Sequence, residues 1–387
     1  MRMKKLTIAA ALALSTAIAP QAMAQSQGVT DTEILVGSNN DMSGIFAAFG
    51  APAMDATRQY FEEVNAKGGV HGRKLRLIAE DHGYQMPKAM QNLNKLVNSD
   101  KVFVMLLSLG TPINIASFPL LEQKGIANVG PLTAARQMID PPSPIKYAGF
   151  SSYYDQTRAG ITYLKDNAGT EVVCSMILPT DFGKEIQEGA KASAEELGLT
   201  YGAETTHKPD EQDFVGSLTK LKDEGCDTIA LALGIRQLIT VLGTAKKLGM
   251  DDMKFLGSSA AFHTAIAKVP EGITDGFYAA AGWPDLTTRM DDPYVKEWIE
   301  SYQAAFGEFP STGALLGRSA AEGLVMALEA AGPDLTAESF QKGMESLSFT
   351  DPITGVLIDY SADDHQGGDA IIISQIQDGA WKTVGEQ

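Results

Sequence analysis

Short apolar, β-branched runs alternate with longer segments of helical spacing, and this alternation most constrains how the chain can fold. The first predicted strands are Ile34–Ser38, Leu75–Glu80, Val102–Leu107 and Ile126–Val129. The segments between them, such as Pro52–Ala66 and Met86–Val97, have apolar residues at helical spacing. Strands that alternate with helices favour parallel pairing, because each helix carries the chain back across one face of a sheet. The sequence therefore predicts an α/β fold with doubly wound parallel sheets.

A second set of strands and helices follows with the same rhythm. Its predicted strands are Val172–Leu178, Thr228–Leu233 and Lys254–Leu256. A chain of 387 residues is too long for one comfortable core, so we expect two lobes. The Pro-rich residues 140–150 separate the two sets and are interpreted as a crossover. Two strong helices after Tyr278 are expected to return to the first lobe, and the C-terminal strands joined at Asp378-Gly379 to form a hairpin at a sheet edge.

The N-terminus has the pattern of a secretory signal peptide, residues 1–24. A basic start is followed by an apolar run from Leu6 to Ala19 and by a small-residue cleavage site that ends at Ala24. A membrane anchor is the alternative, but a spanning helix needs about 20 apolar residues and this run is shorter. No cysteine near the cleavage point is available to carry a lipid. We therefore predict release of the mature protein into a bacterial periplasm.

The chain is strongly acidic. Its formal net charge is −17, and loss of the first 24 residues, which carry three basic and no acidic side chains, makes the charge −20. Such a charge disfavours binding to polyanions, so nucleic acid and anionic membrane surfaces are poor partners. No membrane insertion is expected of the mature protein.

The chain has two cysteines, Cys174 and Cys226, and an exported compartment would allow them to pair. Cys174 lies inside a predicted strand, whereas Cys226 precedes the next one. Even on neighbouring strands, the two would be offset by roughly four residues of about 3.3 Å each. This offset exceeds the limit of roughly 7 Å between bridged Cα atoms. We therefore favour two buried thiols over a disulfide.

Two loops that connect a strand to a helix carry threonine at consecutive strand ends. The stretch LGTPINIA, residues 109–116, places Gly110 and Thr111 between a predicted strand and a helix. The stretch GPLTAA, residues 130–135, repeats this arrangement with Thr133. Ligands of open α/β sheets bind beyond the carboxyl ends of strands, where a helix N-terminus offers free N–H groups. A carboxylate is the natural ligand, and the alternative is that each threonine only caps its helix.

Several stretches, in order and spacing, carry a resemblance to a known family: DMSGIFAAFG, VNAKGGVHGRKLRLIAEDH, GPLTAA, TDFG and GVLIDYSADD. The chain after Ala24 resembles the type I periplasmic substrate-binding proteins of ABC transporters, in the branch typified by the leucine/isoleucine/valine-binding protein. The resemblance implies two lobes joined by three crossover strands that close on a small-molecule ligand. With this division, lobe 1 comprises residues 25–148 plus 279–350, and lobe 2 comprises residues 149–278 plus 351–387. It also implies an ABC permease and its ATPase subunits as partners.

The same resemblance assigns residues to the binding site. In that family two loops bind the carboxylate of the ligand, and they match Leu109, Gly110, Thr111, Leu132, Thr133 and Ala134 here. The aromatic residues that match Phe49 and Phe182 line the cleft from opposite lobes, and core packing is the alternative for each. Tyr153 and Tyr154 follow the crossover, where they either stack on a ring of the ligand or pack the hinge.

One departure from the family pattern changes the expected ligand. Amino-acid binders of this branch carry an acidic residue for the ligand's ammonium in the loop matching residues 257–260, where this chain has Ser259 and no carboxylate. A desolvated ammonium without a counter-charge is costly. Arg236, at a strand end, either clamps a carboxylate or is a solvated helix residue. We predict an apolar carboxylate, aromatic or aliphatic, with a hydrophobic amino acid as the alternative, and a ligand sensor without transport as the alternative of another class.

Enzyme function has little support in the sequence. No G-x-G-x-x-G or Walker-type loop occurs, and the five histidines have no metal-ligand spacing. The match of residues 217–220 to S-x-x-K lies inside an amphipathic helix, without the partner motifs of that chemistry. We predict a binding protein with no catalytic residues, metal or cofactor, and a soluble hydrolase is a third possibility after the transport protein and the sensor.

Overall fold

Two large sheets organise the chain in the computed structural model, which describes residues 26–387. The predicted signal peptide lies outside these residues. In chain order the strands are β1 Glu33–Asn40, β2 Lys74–Asp81, β3 Val104–Leu106, β4 Ala127–Val129, β5 Lys146–Tyr147, β6 Val172–Ile177, β7 Thr200–Thr206, β8 Thr228–Ala232, β9 Lys254–Gly257, β10 Tyr278–Ala281, β11 Ser348–Thr350, β12 Leu357–Asp359, β13 Ile372–Gln377 and β14 Ala380–Glu386. The α-helices are α1 Ala47–Ala66, α2 Met86–Asn94, α3 Thr111–Lys124, α4 Tyr153–Ala168, α5 Asp181–Leu197, α6 Val215–Asp223, α7 Ile235–Lys247, α8 Thr264–Ala267, α9 Pro293–Phe306, α10 Thr312–Ala331 and α11 Ala337–Glu345. None of the helices in these residues is both long and apolar enough to cross a membrane.

The first lobe is built on a parallel five-stranded sheet in the order β2-β1-β3-β4-β5. Its apolar runs form strands because helices packed on the faces of the sheet bury their side chains, as for Ile34 and Val36 of β1. The long helix α10 packs along α1. Helix α9 joins them through a hydrogen bond from Gln59 to Ser301. The helices after Tyr278 therefore pack against α1 of the first lobe.

The second lobe is built on a seven-stranded sheet in the order β14-β13-β10-β9-β8-β6-β7. Strands β6 to β10 are parallel, as the alternation of strands and helices predicts. The last two strands form an antiparallel hairpin at one edge of this sheet. Its turn is Asp378-Gly379, where both residues have positive φ. The predicted C-terminal hairpin and its position at a sheet edge are confirmed.

Three chain segments cross side by side between the lobes, at residues 148–152, 282–285 and 365–368. The Ala148 N–H donates to the His365 carbonyl at 2.9 Å, and the Gly367 N–H donates to the Ala148 carbonyl at 2.9 Å. Position 282 is so close to the first segment that a Cβ there would lie 2.7 Å from the Cβ of Phe150. The first crossing starts later than predicted, because β5, at residues 146–147, still pairs with β4.

The exact division of the chain between the lobes remains a proposal. Sheet membership suggests two adjustments to the boundaries implied by the family resemblance. The boundary between residues 278 and 279 cuts strand β10, which pairs within the second sheet. Strand β12 pairs with β11, and its Ile358 is buried in the same cluster as Tyr147 of the first sheet. We therefore propose that residues up to about 360 stay with the first lobe.

Cys174 and Cys226 form a disulfide, so the prediction of two free thiols is wrong. Their Cα atoms lie 5.8 Å apart, within the range that a disulfide spans. The prediction placed Cys226 on a straight extension of the strand that follows it. It instead belongs to the turn between α6 and β8, where its N–H donates to the Leu221 carbonyl at the end of the helix. From that turn its side chain reaches Cys174 on the neighbouring strand β6.

Candidate functional site

Both sheets have a reversal of strand order, and the candidate site lies at these reversals. In the first sheet the order changes direction between β1 and β3, and in the second between β6 and β8. Such a reversal leaves a crevice beyond the carboxyl ends of the strands, because the following helices cover opposite faces of the sheet. The loops after β1, β3, β4 and β6 are those in which the sequence predicts ligand-binding residues.

Thr111 and Thr133 bring the two predicted threonine loops together. Their Oγ1 atoms lie 2.6 Å apart, and both side chains are buried. Thr111 is the first residue of α3, whose first turn leaves backbone N–H groups without partners inside the helix. Gly110 precedes it with a φ of 104°, a backbone conformation that residues other than glycine rarely adopt. The two loops therefore form one polar cluster at the edge of the sheet.

Tyr153 extends this cluster from the start of α4. Its backbone N–H donates to the Ala134 carbonyl at 2.7 Å, which ties the first crossing segment to the second threonine loop. Burial raises the pKa of the Tyr153 hydroxyl to about 12, although hydrogen bonds with Thr133 and the Ala134 backbone act in the opposite direction. The hydroxyl is therefore protonated near neutral pH and can donate a hydrogen bond to an anion.

Aromatic side chains from both lobes meet beside the polar cluster. Phe46 of the first lobe lies 5.9 Å from Phe182 of the second, between ring centroids, and 4.9 Å from Tyr84. Phe182 also contacts Tyr153 at 5.2 Å. These edge-to-face pairs are favourable arrangements for aromatic rings. They form an apolar part of the cavity lining next to the threonine hydroxyls.

A cavity of about 120 Å³ lies between these groups. One water molecule needs roughly 10–15 Å³, so the space is large enough for an organic ligand. Its lining among residues 26–387 is apolar, aromatic, glycine or hydroxyl-bearing, without a charged side chain or histidine. Within the same residues, no group of three His, Cys, Asp or Glu side chains is placed to hold a metal ion.

Most of the residues predicted for the site line this cavity. They are Phe49, Leu109, Gly110, Thr111, Leu132, Thr133, Ala134, Tyr153, Phe182 and Ser259. The strand-end rule brings them together although they come from both lobes. Their role in binding a ligand remains a prediction.

Arg236 and Tyr154 lie away from the cavity, which corrects the prediction made for them. Arg236 is exposed on α7. Gly234 occupies the strand end instead, and its N–H donates to the Gln237 side chain at 3.1 Å as the helix begins. The ring of Tyr154 is covered by guanidinium groups, the nearer being that of Arg136 at 4.0 Å from the ring centroid. Neither side chain is therefore placed to contact a ligand in the cavity.

Trp283 is a lining residue that the sequence analysis missed. Its indole Nε1 is buried and has no hydrogen-bond partner in the described part of the chain. It follows β10 in the second crossing segment and packs on Phe150 of the first, with ring centroids 4.8 Å apart. The strand-end rule would have identified Trp283 if β10 had been recognised as a strand.

The two lobes contact each other directly around the cavity, so the structure is a closed form. His263 of the second lobe has its Nε2 3.1 Å from the carbonyl oxygen of Ala48 in the first. Burial lowers the pKa of His263 to about 4. Beside it, the hydroxyls of Thr264 and Thr312 lie 3.1 Å apart. Two lobes that close on an uncharged cavity are typical of hinged, two-lobed ligand-binding proteins, and the structure places this protein in that class.

Comparisons with known proteins agree with this class. A family model of periplasmic binding proteins matches residues 33–380. The leucine-specific-binding protein of Salmonella typhimurium is 23% identical over 294 residues, which cover 73% of this chain and 75% of that protein. Because the family model matches most of the chain, the protein belongs to the periplasmic binding protein family.

Solved structures show the same architecture. The fatty acid ABC transporter substrate-binding protein from Thermomonospora curvata has a TM-score of 0.84 and 26% identity, with 94% of both chains covered. A branched chain amino acid ABC transporter protein from Thermus thermophilus with bound valine has a TM-score of 0.83 and 21% identity, with 93% of this chain and 96% of that chain covered. The predicted fold and the resemblance to the leucine/isoleucine/valine-binding branch are therefore confirmed.

Proposed function

We propose that this protein captures a carboxylate with an apolar body between its lobes and delivers it to an ABC permease. The observation that carries the proposal is the pair of hydroxyls of Thr111 and Thr133 in the lining of a cavity that is otherwise uncharged and mainly apolar. An anion there accepts hydrogen bonds from these hydroxyls, from Tyr153 and from the first turn of α3. The rest of the ligand contacts aromatic and aliphatic side chains.

A free amino acid fits this cavity poorly. Its ammonium would be desolvated on closure, and the residues that line the cavity between 26 and 387 supply no carboxylate to pair with it. Ser259 lies where an acidic residue is expected for an amino-acid binder, and its N–H is already bonded to the Gln156 side chain at 2.8 Å. The name of the 26% identical relative, which refers to fatty acids, supports an apolar carboxylate.

Reversible closure links binding to transport. Contacts between the lobes, such as His263 with Ala48, exist only in the closed form, so a ligand that contacts both lobes shifts the population towards closure. We propose that the closed form docks on a membrane permease whose ATPase subunits supply energy. The names of the relatives refer to ABC transporters, which favours transport over a sensor without transport. We further propose that the mature protein acts in the periplasm after cleavage near Ala24.

The Thr111→Val, Thr133→Val double variant tests the proposed site. Valine keeps the shape of threonine and removes the hydroxyl, and hydrogen bonds to a charged group contribute about 1.5–3 kcal/mol each. We therefore expect calorimetry with benzoate and decanoate to give dissociation constants at least about a hundredfold weaker than for the unaltered protein.

The matched control is Thr170→Val with Thr228→Val, because these buried hydroxyls also lie close together, at 2.8 Å, but do not line the cavity. Affinity in this control is expected to be unchanged. Tight binding of leucine or valine, with neither acid bound, would overturn the proposed ligand class in favour of a hydrophobic amino acid. Turnover of a captured ligand would favour a hydrolase.

A further inference from the structure

The cavity continues from the threonine cluster into the interior of the first lobe. One side of this extension is the face of α10 that carries Leu316, Ala320 and Leu324. The lining of this extension also includes Val129 of β4 and residues in and near the β11–β12 pair, among them Phe349, which lies beside Gly323 of α10. We call this extension the α10 channel. Its walls are apolar, unlike the hydroxyl-lined end where the cleft begins.

Small residues keep the α10 channel open. Ala320 and Gly323 face it from the middle of the helix. A Cβ at position 323 would lie 3.8 Å from Cζ of Phe349, which is ordinary contact, so a larger side chain there would enter the channel. Protein interiors are normally close-packed. An apolar channel beneath a helix, left open by small residues and continuous with a binding cleft, therefore indicates space for part of a ligand.

The channel has the length of an alkyl chain. The start of α10 lies against Phe49 of the cleft, and Gly323 lies beside Phe349, so the helix face runs from the cleft inwards. The eight residues from Leu316 to Leu324 span about 12 Å of helix. The polar side chains that line the channel, Ser319 and Tyr360, are already bonded within the protein. The Tyr360 hydroxyl donates to the Ala148 carbonyl at 3.0 Å, and the Ser319 hydroxyl is bonded to Asp351. A ligand with a polar group at one end only suits this arrangement.

We propose that the ligand is a straight-chain aliphatic monocarboxylate whose alkyl chain occupies the α10 channel, with Ala320 and Gly323 setting the length that fits. This inference rests on the proposed function, because it places the carboxylate at Thr111 and Thr133. An aromatic acid fills only the cleft and leaves the channel empty.

Calorimetry with hexanoate, decanoate and hexadecanoate tests the proposal. Each buried methylene is expected to strengthen binding about fourfold until the channel is full. Decanoate should therefore bind far more tightly than hexanoate or benzoate. Equal affinity for all these acids would overturn the role of the channel and leave the proposed function intact. Failure of every acid, with leucine bound, would instead overturn the proposed function.

The Gly323→Leu variant tests the position of the alkyl chain. Leucine at this position fills the channel, so decanoate should bind at least tenfold more weakly. Hexanoate should keep its affinity, which shows that the variant is still folded. Gly323→Ala is a milder variant that adds only a methyl group in ordinary contact, and a smaller loss for decanoate is expected. The control is Ala330→Leu on the exposed side of the same helix, which should change neither affinity. Unchanged decanoate binding in Gly323→Leu would overturn the proposal.

Discussion

Gly110 is the residue whose backbone most restricts the candidate site. Its φ of 104° disfavours any side chain, and a Cβ there would lie 3.0 Å from Cε2 of Tyr84, which lines the cavity. In Gly110→Ala we expect a loss of about 1–3 kcal/mol in the free energy of unfolding, from backbone strain, and about tenfold weaker binding of decanoate because Tyr84 is displaced. Gly68→Ala is the control, since Gly68 has a φ of 109° and open space around it. It should lose stability and retain affinity in urea denaturation and calorimetry.

Protonation of His263 is expected to make ligand affinity depend on pH. Its Nδ1 accepts a hydrogen bond from the Ala265 N–H, so the neutral ring carries its proton on Nε2, which donates to Ala48. Burial lowers the pKa of His263 in this closed form to about 4, against an ordinary value of 6.5. The contact with Ala48 that buries His263 forms when the lobes close, so His263 has a higher pKa in the open form. As the pH falls, the open form is therefore protonated before the closed form. Affinity is then complete above about pH 6.5 and falls as the pH decreases towards 4, by at most about tenfold per unit.

Calorimetry of decanoate binding across this pH range checks the prediction. His263→Gln should flatten the pH dependence. The control is His71→Gln, because His71 is exposed on the surface of the first lobe. A slope that persists in His263→Gln would assign the pH dependence to another group, and the buried His82 is the first candidate.

The sequence predicts the position of a site residue better than the direction of its side chain. Thr111 and Thr133 were identifiable because parallel strands end at one edge of a sheet, which fixes where the following loops lie. The same rule points to Arg236, whose side chain is exposed because it lies on the solvent face of α7 between the buried Ile235 and Gln237. Trp283 gave no such signal, since its strand has the sequence YAAA, which lacks β-branched residues.

At the scale of elements, the disulfide connects strand β6 to the turn between α6 and β8. It closes a loop with a sequence separation of 52 residues. Because a disulfide that closes a loop of this size restricts the unfolded chain, we expect the double variant Cys174→Ala, Cys226→Ala to lower the free energy of unfolding by about 4 kcal/mol. Alanine is suitable because both positions are buried and a serine hydroxyl would need a partner. The measurement is urea denaturation.

Ligand affinity of the disulfide variant should be unchanged, because Cys226 precedes β8 and the cavity lies at the carboxyl ends of the strands. Treatment of the unaltered protein with dithiothreitol should reduce its stability to the level of the variant. Equal stability of the oxidised, reduced and substituted proteins would contradict the prediction.

Elements with strong apolar periodicity were predictable, and short or half-exposed ones were not. The predicted strand Val172–Leu178 corresponds to β6 within one residue, because its side chains are almost all buried. Strand β7, with the sequence TYGAETT, lies at the sheet edge and alternates exposed residues with half-buried or buried ones, so it has no apolar run. The disulfide was missed for a related reason: the path of a turn between a helix and a strand is not encoded in strand periodicity.

For the whole molecule, the alternation of strands and helices predicted two α/β lobes, but it did not predict which surfaces meet when they close. Arg136 of the first lobe and Glu185 of the second form such a contact. The Arg136 Nη2 donates to the Glu185 Oε1 at 2.9 Å, and the Arg136 backbone N–H donates to its Oε2 at 3.2 Å. The Glu185 side chain is only 2% exposed. Because this ion pair joins the lobes, it stabilises the closed form over the open one.

Arg136→Gln is therefore expected to weaken ligand binding without removing a residue that lines the cavity. Loss of the guanidinium leaves Glu185 buried without a cation in the closed form, and a charged hydrogen bond contributes about 1.5–3 kcal/mol, so decanoate should bind roughly ten- to a hundredfold more weakly. The change should appear mainly as faster dissociation in stopped-flow measurements, because the opening step becomes easier. Arg158→Gln is the matched control, since Arg158 pairs with Glu196 of the same helix α5 but entirely within the second lobe. Equal losses of affinity in the two variants would contradict a role for the Arg136–Glu185 pair in closure.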